Sequence, residues 1–504
     1  MEHKVGFCIE TIPGDCGAVL FGGTGDLAAR KILPAFFNLY RTKLLPRKFY
    51  LAACGRTAMD TAAYRASVKE KLKRFCGNAG EADLAGFLEL VSYVKADYDS
   101  PGFFTALAAE LDRLDAGTGV FKRRFFYLAT PPASFLQIAR RLKAAGLLDE
   151  TGAPGAWARI LIEKPYGYNL ASAIELDKEL ALNAGEEQVY RIDHYLMKET
   201  IQNILTLRSV NNIFEGTWNG RFIDNVQITV FEDLGVEGRA DYFNTMGTAR
   251  DMLSHIFQMA AIVAMELPAS FRDMGVKEAK ARLFSSVRKL SEEDIVKNTV
   301  RGQYGPGGKK AGAELAGYRQ GAGVTPDSDT ETFFAMKFYI DNERWRGVPF
   351  YVRVGKRMPG KKTRIVIEYK KSDGGVFGFA GLDYTNVLHM NIQPEESLIL
   401  SLNTKHPGPK LCFTRRDIKL NYRQHTEEYD VPGDYERLLL DAMAGDQTLF
   451  VSSGDMNFMW NFITPIVELW RNRPELAPLL FYPSLSAGPK EAGLLLKKDG
   501  RAWH

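Results

Sequence analysis

Residues 191–199, Arg-Ile-Asp-His-Tyr-Leu-Met-Lys-Glu, concentrate polar chemistry in one short stretch. If a helix begins near Tyr195, His194 and Lys198 stand four apart on one face. Two cationic donors there suit an anionic group such as a phosphate. The same residues also fit a plain surface helix start capped by Asp193. A second candidate is His255, which ends Arg-Asp-Met-Leu-Ser-His (250–255) and heads an apolar run. It reads either as a satisfied core histidine or as a general base. A carboxylate close in space, such as Asp193, would orient it for base work near pH 7. Lys356 lies in a basic stretch, 355–364, which reads as a solvated loop. It also follows the apolar run Pro-Phe-Tyr-Val-Arg-Val, so it could point into a site instead.

A different chemistry is written near the start. Gly22-Gly23-Thr24-Gly25-Asp26-Leu27-Ala28 fits G-x-x-G-x-x-A directly after the apolar residues 17–21. The first glycine permits a tight turn, and the next lets backbone approach a pyrophosphate. The small third residue lets helix and strand pack closely. The helix start supplies free N–H groups for phosphate. The next apolar run, 49–54, ends in Gly55-Arg56-Thr57 with no acidic residue at its tip. An arginine there can pair with a 2′-phosphate, which favours NADP, with NAD as a secondary cofactor. Arg56 as a solvated loop charge is the competing reading. Glu163-Lys164-Pro165 closes another apolar run, 157–162. Carboxyl ends of parallel strands face the ligand crevice, so Lys164 could reach a sugar hydroxyl and the nicotinamide.

These residues need elements to hold them. Strand, glycine turn, helix and strand over 17–54 form a βαβ unit. The alternation continues with helices at 61–77, 101–115 and 133–145, and strands at 90–94, 124–130 and 157–162. After about residue 190 the strands change character. Those at 222–231, 332–340, 349–354, 364–370 and 386–402 are longer and often alternate. Helices at 170–183, 195–209, 245–265 and 434–444 would cover one face of such a sheet, and 303–328 reads as a long surface loop. The expected fold is an α/β Rossmann-type doubly wound N-terminal domain plus a larger α+β C-terminal domain with a mostly antiparallel sheet. The domains are 1–190, with 1–16 an N-terminal extension, and 191–504.

Composition narrows the class. Of 504 residues, 45% are hydrophobic and 25% charged, which excludes a disordered or low-complexity chain. A net charge of +4 argues against a nucleic-acid binder. Five cysteines (Cys8, Cys16, Cys54, Cys76, Cys412) include no Cys-x-x-Cys pair, which fits reduced thiols in a cytosol. The first residues do not read as a signal peptide, and no apolar run is long enough to span a membrane. A cytoplasmic enzyme is expected. There is no His-Glu-x-x-His, nucleophile elbow, phosphate-binding P-loop or metal cluster, so unassisted hydride chemistry is the expectation.

Several motifs occur together in one order: GGTGDLAARKILPAFFNLY (22–40), FYLATPP (126–132), IEKPYG (162–167) and RIDHYLMKE (191–199). FEDLGVEGRADYF (231–243), NERWRGVPFYVRVGKRM (342–358), NIQPEE (391–396) and YERLLLDAMAGDQTLF (435–450) follow. Together they resemble the glucose-6-phosphate dehydrogenase family, over roughly 18–475. The resemblance implies oxidation of β-D-glucose 6-phosphate at C1 to 6-phosphoglucono-δ-lactone with hydride transfer to NADP, the first step of the oxidative pentose phosphate pathway. It implies His255 as general base and Asp193 as the carboxylate orienting it. His194, Tyr195 and Lys198, assisted by Lys356, would bind the phosphate. Lys164 would contact sugar and nicotinamide, Glu232 and Asp251 the sugar hydroxyls, and Gln393 would lie near the substrate. Gly22, Gly23, Thr24, Gly25, Asp26, Leu27 and Arg56 would hold the cofactor. A homodimer or homotetramer built through the large sheet is the implied assembly.

Two departures from the family pattern matter. Met197 stands where the family has glycine, which would alter packing or narrow the pocket. Asp251 and His255 are four apart where the family has five. On a continuous helix that rotates one against the other by about 100° and brings Arg250 into the place of Asp251. Two alternatives stay open: a glucose–fructose oxidoreductase-type enzyme acting on unphosphorylated sugar, and a non-catalytic dinucleotide-binding homologue.

Overall fold

Six strands form a wholly parallel sheet: β1 (Cys16–Phe21), β2 (Phe49–Gly55), β3 (Val91–Lys95), β4 (Arg123–Leu128), β5 (Trp157–Ile162) and β6 (Val189–Arg191). Their order is β3-β2-β1-β4-β5-β6, the doubly wound arrangement. β1 and β2 are buried at every position, so both faces need cover. The connecting helices supply it, among them Leu33–Arg41, Pro101–Thr118 and Phe135–Ala144. The order turns back between β1 and β4, which opens the crevice where a dinucleotide lies in such sheets. The computed structural model describes residues 12–77, 79–151, 154–270, 275–310, 312–372, 385–409, 412–422 and 432–504. Cys8 and most of the expected N-terminal extension lie outside them.

The second half builds a nine-stranded sheet and a small hairpin from β7 (Ile223–Phe231), β8 (Thr299–Gly305), β9 (Gly307–Lys310), β10 (Ala313–Leu315), β11 (Phe333–Tyr339), β12 (Pro349–Gly355), β13 (Lys362–Tyr369), β14 (Val387–Gln393), β15 (Ser397–Lys405), β16 (Phe413–Asn421) and β17 (Leu479–Pro483). The sheet order is β16-β15-β14-β13-β7-β12-β11-β8-β17. Only the β7–β12 and β8–β17 pairings are parallel. The expected single strand over 386–402 is two strands. Pro394 lies between them and has no N–H to offer a ladder. The stretch expected as a loop, 303–328, contains the β9–β10 hairpin. That hairpin is largely exposed, so it has no apolar alternation to announce it.

Helix Ala240–Ala264 packs on β11 and β12. It is interrupted at Gly247, where φ is 63° and only glycine sits easily. A Cβ there would fall 2.2 Å from Glu331 Oε1. Helices Glu199–Val210 and Ser453–Asn472 flank it. Beneath it the fold encloses an ion pair: Lys280 Nζ lies 2.8 Å from Asp455 Oδ2, with both side chains fully buried. Gln258 joins them, accepting from Lys280 at 3.0 Å and donating to Asp455 at 3.0 Å. Among the described residues no helix is long and apolar enough to cross a membrane.

Candidate active site

The site forms where the end of β5 meets helix Ala240–Ala264. Three segments contribute. Lys164 follows β5, Asp193 follows β6, and His255 lies on the helix. His255 Nδ1 is 2.6 Å from Asp193 Oδ1, and His255 Nε2 is 2.9 Å from Lys164 Nζ. Asp193 is fully buried and has further donors: the Tyr195 N–H at 3.0 Å and the Ser254 hydroxyl at 2.5 Å. A carboxylate so placed accepts from Nδ1–H. That leaves the Nε2 lone pair facing the ammonium of Lys164.

The electrostatics favour carboxylate beside neutral imidazole. Burial pushes the Asp193 carboxyl up, but His255, Lys164 and His194 outweigh it and hold it below its ordinary value. Burial, with Lys164 close by, holds His255 below its ordinary value although Asp193 pulls the other way. His194 is held well below it by burial and by His255, Lys164 and Lys198. In the free protein His194 therefore offers a hydrogen bond rather than a charge, and the two-cation expectation for this segment reduces to Lys198.

The helix expected from Tyr195 starts at Glu199 instead. Residues 193–198 make turns: Asp193 O accepts from Leu196 N at 3.0 Å, and Tyr195 O from Lys198 N at 3.2 Å. The Asp193 side chain competes for the Tyr195 N–H, which is the usual reason such residues delay a helix. His194 and Lys198 thus do not share a helical face. The rings of His194 and Tyr195 instead lie against His255, with centroids 4.6 Å and 4.2 Å away. Lys198 Nζ turns to Asp434, 2.9 Å away. Gln393 Nε2 reaches the Tyr195 hydroxyl at 3.3 Å and Thr363 Oγ1 at 3.0 Å. Lys356, at the end of β12, is buried and paired with Glu232 at the end of β7. The loop reading of Lys356 is therefore replaced.

Asp251 faces the site. Its Oδ1 accepts from the Tyr242 hydroxyl at 3.0 Å and lies 3.9 Å from Lys164 Nζ. Burial raises its carboxyl, but Lys164, Lys356 and His255 together hold it below its ordinary value. Arg250 does not take its place: Arg250 Nε donates back to Met246 O at 2.8 Å. The break at Gly247 comes before both residues, so Asp251 and His255 share one continuous stretch of helix. Four residues also leave Asp251 and His255 only about 40° apart around the axis. Met197 is buried and belongs to the core, so its extra volume is absorbed in packing.

At the cofactor end, Gly22 has φ 78°, and a Cβ on it would stand 2.3 Å from Ala129 O. One on Gly23 would meet the Ala53 side chain at 2.8 Å. Tyr98 accepts from Gly22 N at 2.9 Å, and Tyr64 donates to Gly23 O at 2.8 Å. Gly25 N closes the turn onto Gly22 O at 2.8 Å. Thr24 sits beside Gly55, Leu27 packs on the core, and Asp26 pairs with Arg30 at 2.6 Å. Arg56 is exposed at the tip of β2; burial pushes the nearby Tyr98 hydroxyl up, and Arg56 offsets only a little of it. This close-fitting turn suits a dinucleotide pyrophosphate, because backbone alone fills the space a side chain would take.

Ser254, Tyr242, Thr363 and Asp434 were not visible as site residues in sequence. Ser254 adjoins His255, but nothing in its type marks a partner sixty-one positions away. Asp434 lies 236 positions from Lys198.

With this geometry in place, the comparisons are specific. The family description "Glucose-6-phosphate dehydrogenase, NAD binding domain" matches residues 19–203, and its "C-terminal domain" matches 205–504. The chain belongs to the glucose-6-phosphate dehydrogenase family. A glucose-6-phosphate 1-dehydrogenase from Treponema pallidum is 39% identical over 96% of this chain and 94% of its own length. One from Bacillus subtilis is 38% identical over 96% and 97%. A glucose-6-phosphate dehydrogenase solved in complex with its substrate glucose-6-phosphate superposes with a TM-score of 0.89 at 31% identity, covering 98% of this chain and 99% of that one. Membership in the glucose-6-phosphate dehydrogenase family replaces the glucose–fructose oxidoreductase-type alternative. The family's nucleotide-binding domain also carries the expectation of a nicotinamide cofactor.

Proposed function

We propose that this protein oxidises β-D-glucose 6-phosphate at C1 to 6-phosphoglucono-δ-lactone, with NADP as the hydride acceptor and NAD as a secondary one. The observation that carries this reading is the continuous chain Asp193–His255–Lys164, which joins a buried carboxylate, an imidazole and an ammonium at the end of β5. His255 Nε2 takes the C1 hydroxyl proton as the carbonyl forms. Asp193 fixes the tautomer and stabilises the imidazolium. Lys164 keeps the imidazole unprotonated until substrate arrives and then turns to the sugar. Tyr195, His194 and Lys198 hold the phosphate, with Lys356 on the same side. Glu232, Asp251 and Gln393 hold the rest of the sugar. Binding the remote phosphate positions C1 for reaction. A dinucleotide with its pyrophosphate on the Gly22–Leu27 turn would supply the hydride acceptor, and Arg56 would meet the 2′-phosphate on its adenosine ribose. Two copies joining through the outer strands of the large sheet fit the exposed Ile418 and Leu420 on β16. We place the boundary between cofactor and substrate halves near residue 190, and the enzyme in the cytoplasm.

Following reduced-nicotinamide absorbance with glucose 6-phosphate or glucose, each with NADP or NAD, tests the reading. Turnover of the phosphorylated sugar is expected. Cofactor binding without turnover would return the protein to a non-catalytic role. In the same assay Arg56→Ala should raise KM for NADP about tenfold, the worth of one charged hydrogen bond, and leave NAD nearly unchanged. Equal effects on both cofactors would remove Arg56 from the 2′-phosphate.

A pH dependence follows from Lys164. Its ammonium disfavours the imidazolium of His255, so activity should fall on the acid side only below the ordinary histidine value of 6.5. In Lys164→Gln that charge is gone and imidazolium forms at higher pH. The acid limb of kcat/KM for the residual activity should therefore move upward. A limb that stayed in place or moved down would separate Lys164 from the base.

A further inference from the structure

We propose that Asp434 is a built-in stand-in for the substrate's phosphate, holding Lys198 until the phosphate displaces it and thereby setting the apparent affinity for the phosphorylated sugar. This rests on Lys198 being a phosphate ligand. Lys198 Nζ lies 2.9 Å from Asp434 Oδ2, with the two side chains 17% and 35% exposed, so the pair is open to an incoming anion. Asp434 is the first residue of helix Asp434–Ala444, whose N-cap is Gly433 and which has no side-chain cap. Its carboxylate reaches a lysine from a distant segment, 236 positions away. No other carboxylate among the described residues pairs with Lys198.

The competition has a clear direction. A phosphate dianion brings more charge to the ammonium than a carboxylate and displaces it, at the cost of one partly exposed ion pair. A sugar without phosphate leaves the pair intact and loses nothing. Asp434 therefore weakens binding of every anion at this position and of no neutral sugar. It keeps Lys198 from standing uncompensated in the free protein and makes the site less prone to filling with inorganic phosphate.

Steady-state kinetics on the full chain test this. Asp434→Asn keeps the shape and removes the charge. It should lower KM for glucose 6-phosphate about two- to fivefold, the range an exposed ion pair carries. The inhibition constant for inorganic phosphate should fall in parallel, and KM for free glucose should not move. Asp434→Glu should restore the original constants. Once Lys198→Ala is present, Asp434→Asn should have no further effect. If Asp434→Asn raises KM or leaves it and phosphate inhibition unchanged while Lys198→Ala raises KM strongly, Asp434 only positions Lys198 and the inference is overturned. If Lys198→Ala itself leaves KM and phosphate inhibition unchanged, the phosphate-ligand reading fails, and the inference fails with it.

Discussion

His255→Asn should lower kcat with glucose 6-phosphate by about 10²–10⁴-fold, the span a positioned general base contributes. KM for the sugar should stay within a few-fold, because phosphate and hydroxyl contacts come from other residues. The substitution is a fair test because asparagine can still donate to Asp193, whose fully buried carboxylate otherwise keeps only Tyr195 N–H and Ser254. The variant should therefore fold and bind cofactor, which fluorescence titration of the reduced nicotinamide checks. Retention of most of kcat would move the base elsewhere. Asp251 is the nearest candidate, since its carboxyl lies beside both Lys164 and His255.

Lys280→Met should destabilise the protein by about 3–5 kcal/mol, because it strands a carboxylate where no water reaches. Asp455 then keeps only Gln258 and its capping contacts with Ser452. Its Oδ1 already has no hydrogen-bond partner among the described residues. Replacing both partners, Lys280→Met with Asp455→Leu, should recover much of that loss, since paired buried charges are often exchanged for apolar groups at little cost. Part of the loss stays, because Asp455 also closes the capping box of helix Ser453–Asn472. Urea unfolding of the three proteins by circular dichroism decides. A double variant no better than the single would mean that the pair does more than neutralise itself. Gln258 sits one turn beyond His255, so the single variant should also lose activity at temperatures where the parent keeps it.

What could be read in the chain follows from how locally each feature is encoded. The glycine turn, the buried strands β1 and β2 beside it and the helix between them each carry their signal within twenty residues, and these were legible. So were Lys164, Asp193 and His255 as separate candidates. The joining of Asp193 to His255 was legible only through the family resemblance, because no spacing states that a carboxylate meets a histidine 62 positions later. β16 escaped because residues 415–420 are exposed throughout, which leaves no apolar face to write a period. The turns at 193–198 escaped for a different reason. Their side chains look helical in type, and only the Asp193 carboxylate taking the Tyr195 N–H delays the helix. The expected rotation of Asp251 away from the site rested on a missing residue, yet four residues along one helix still leave it about 40° from His255.

The proposed proton acceptor and its partners belong to no single piece of the molecule. Lys164 hangs from the parallel sheet, Asp193 from the strand that closes it, and His255 from a helix seated on the other sheet. A slight parting of the two sheets would leave every strand paired and nearly every side chain buried, yet dissolve the relay. The Asp193–His255–Lys164 contacts are thus a gauge of registry between the two sheets.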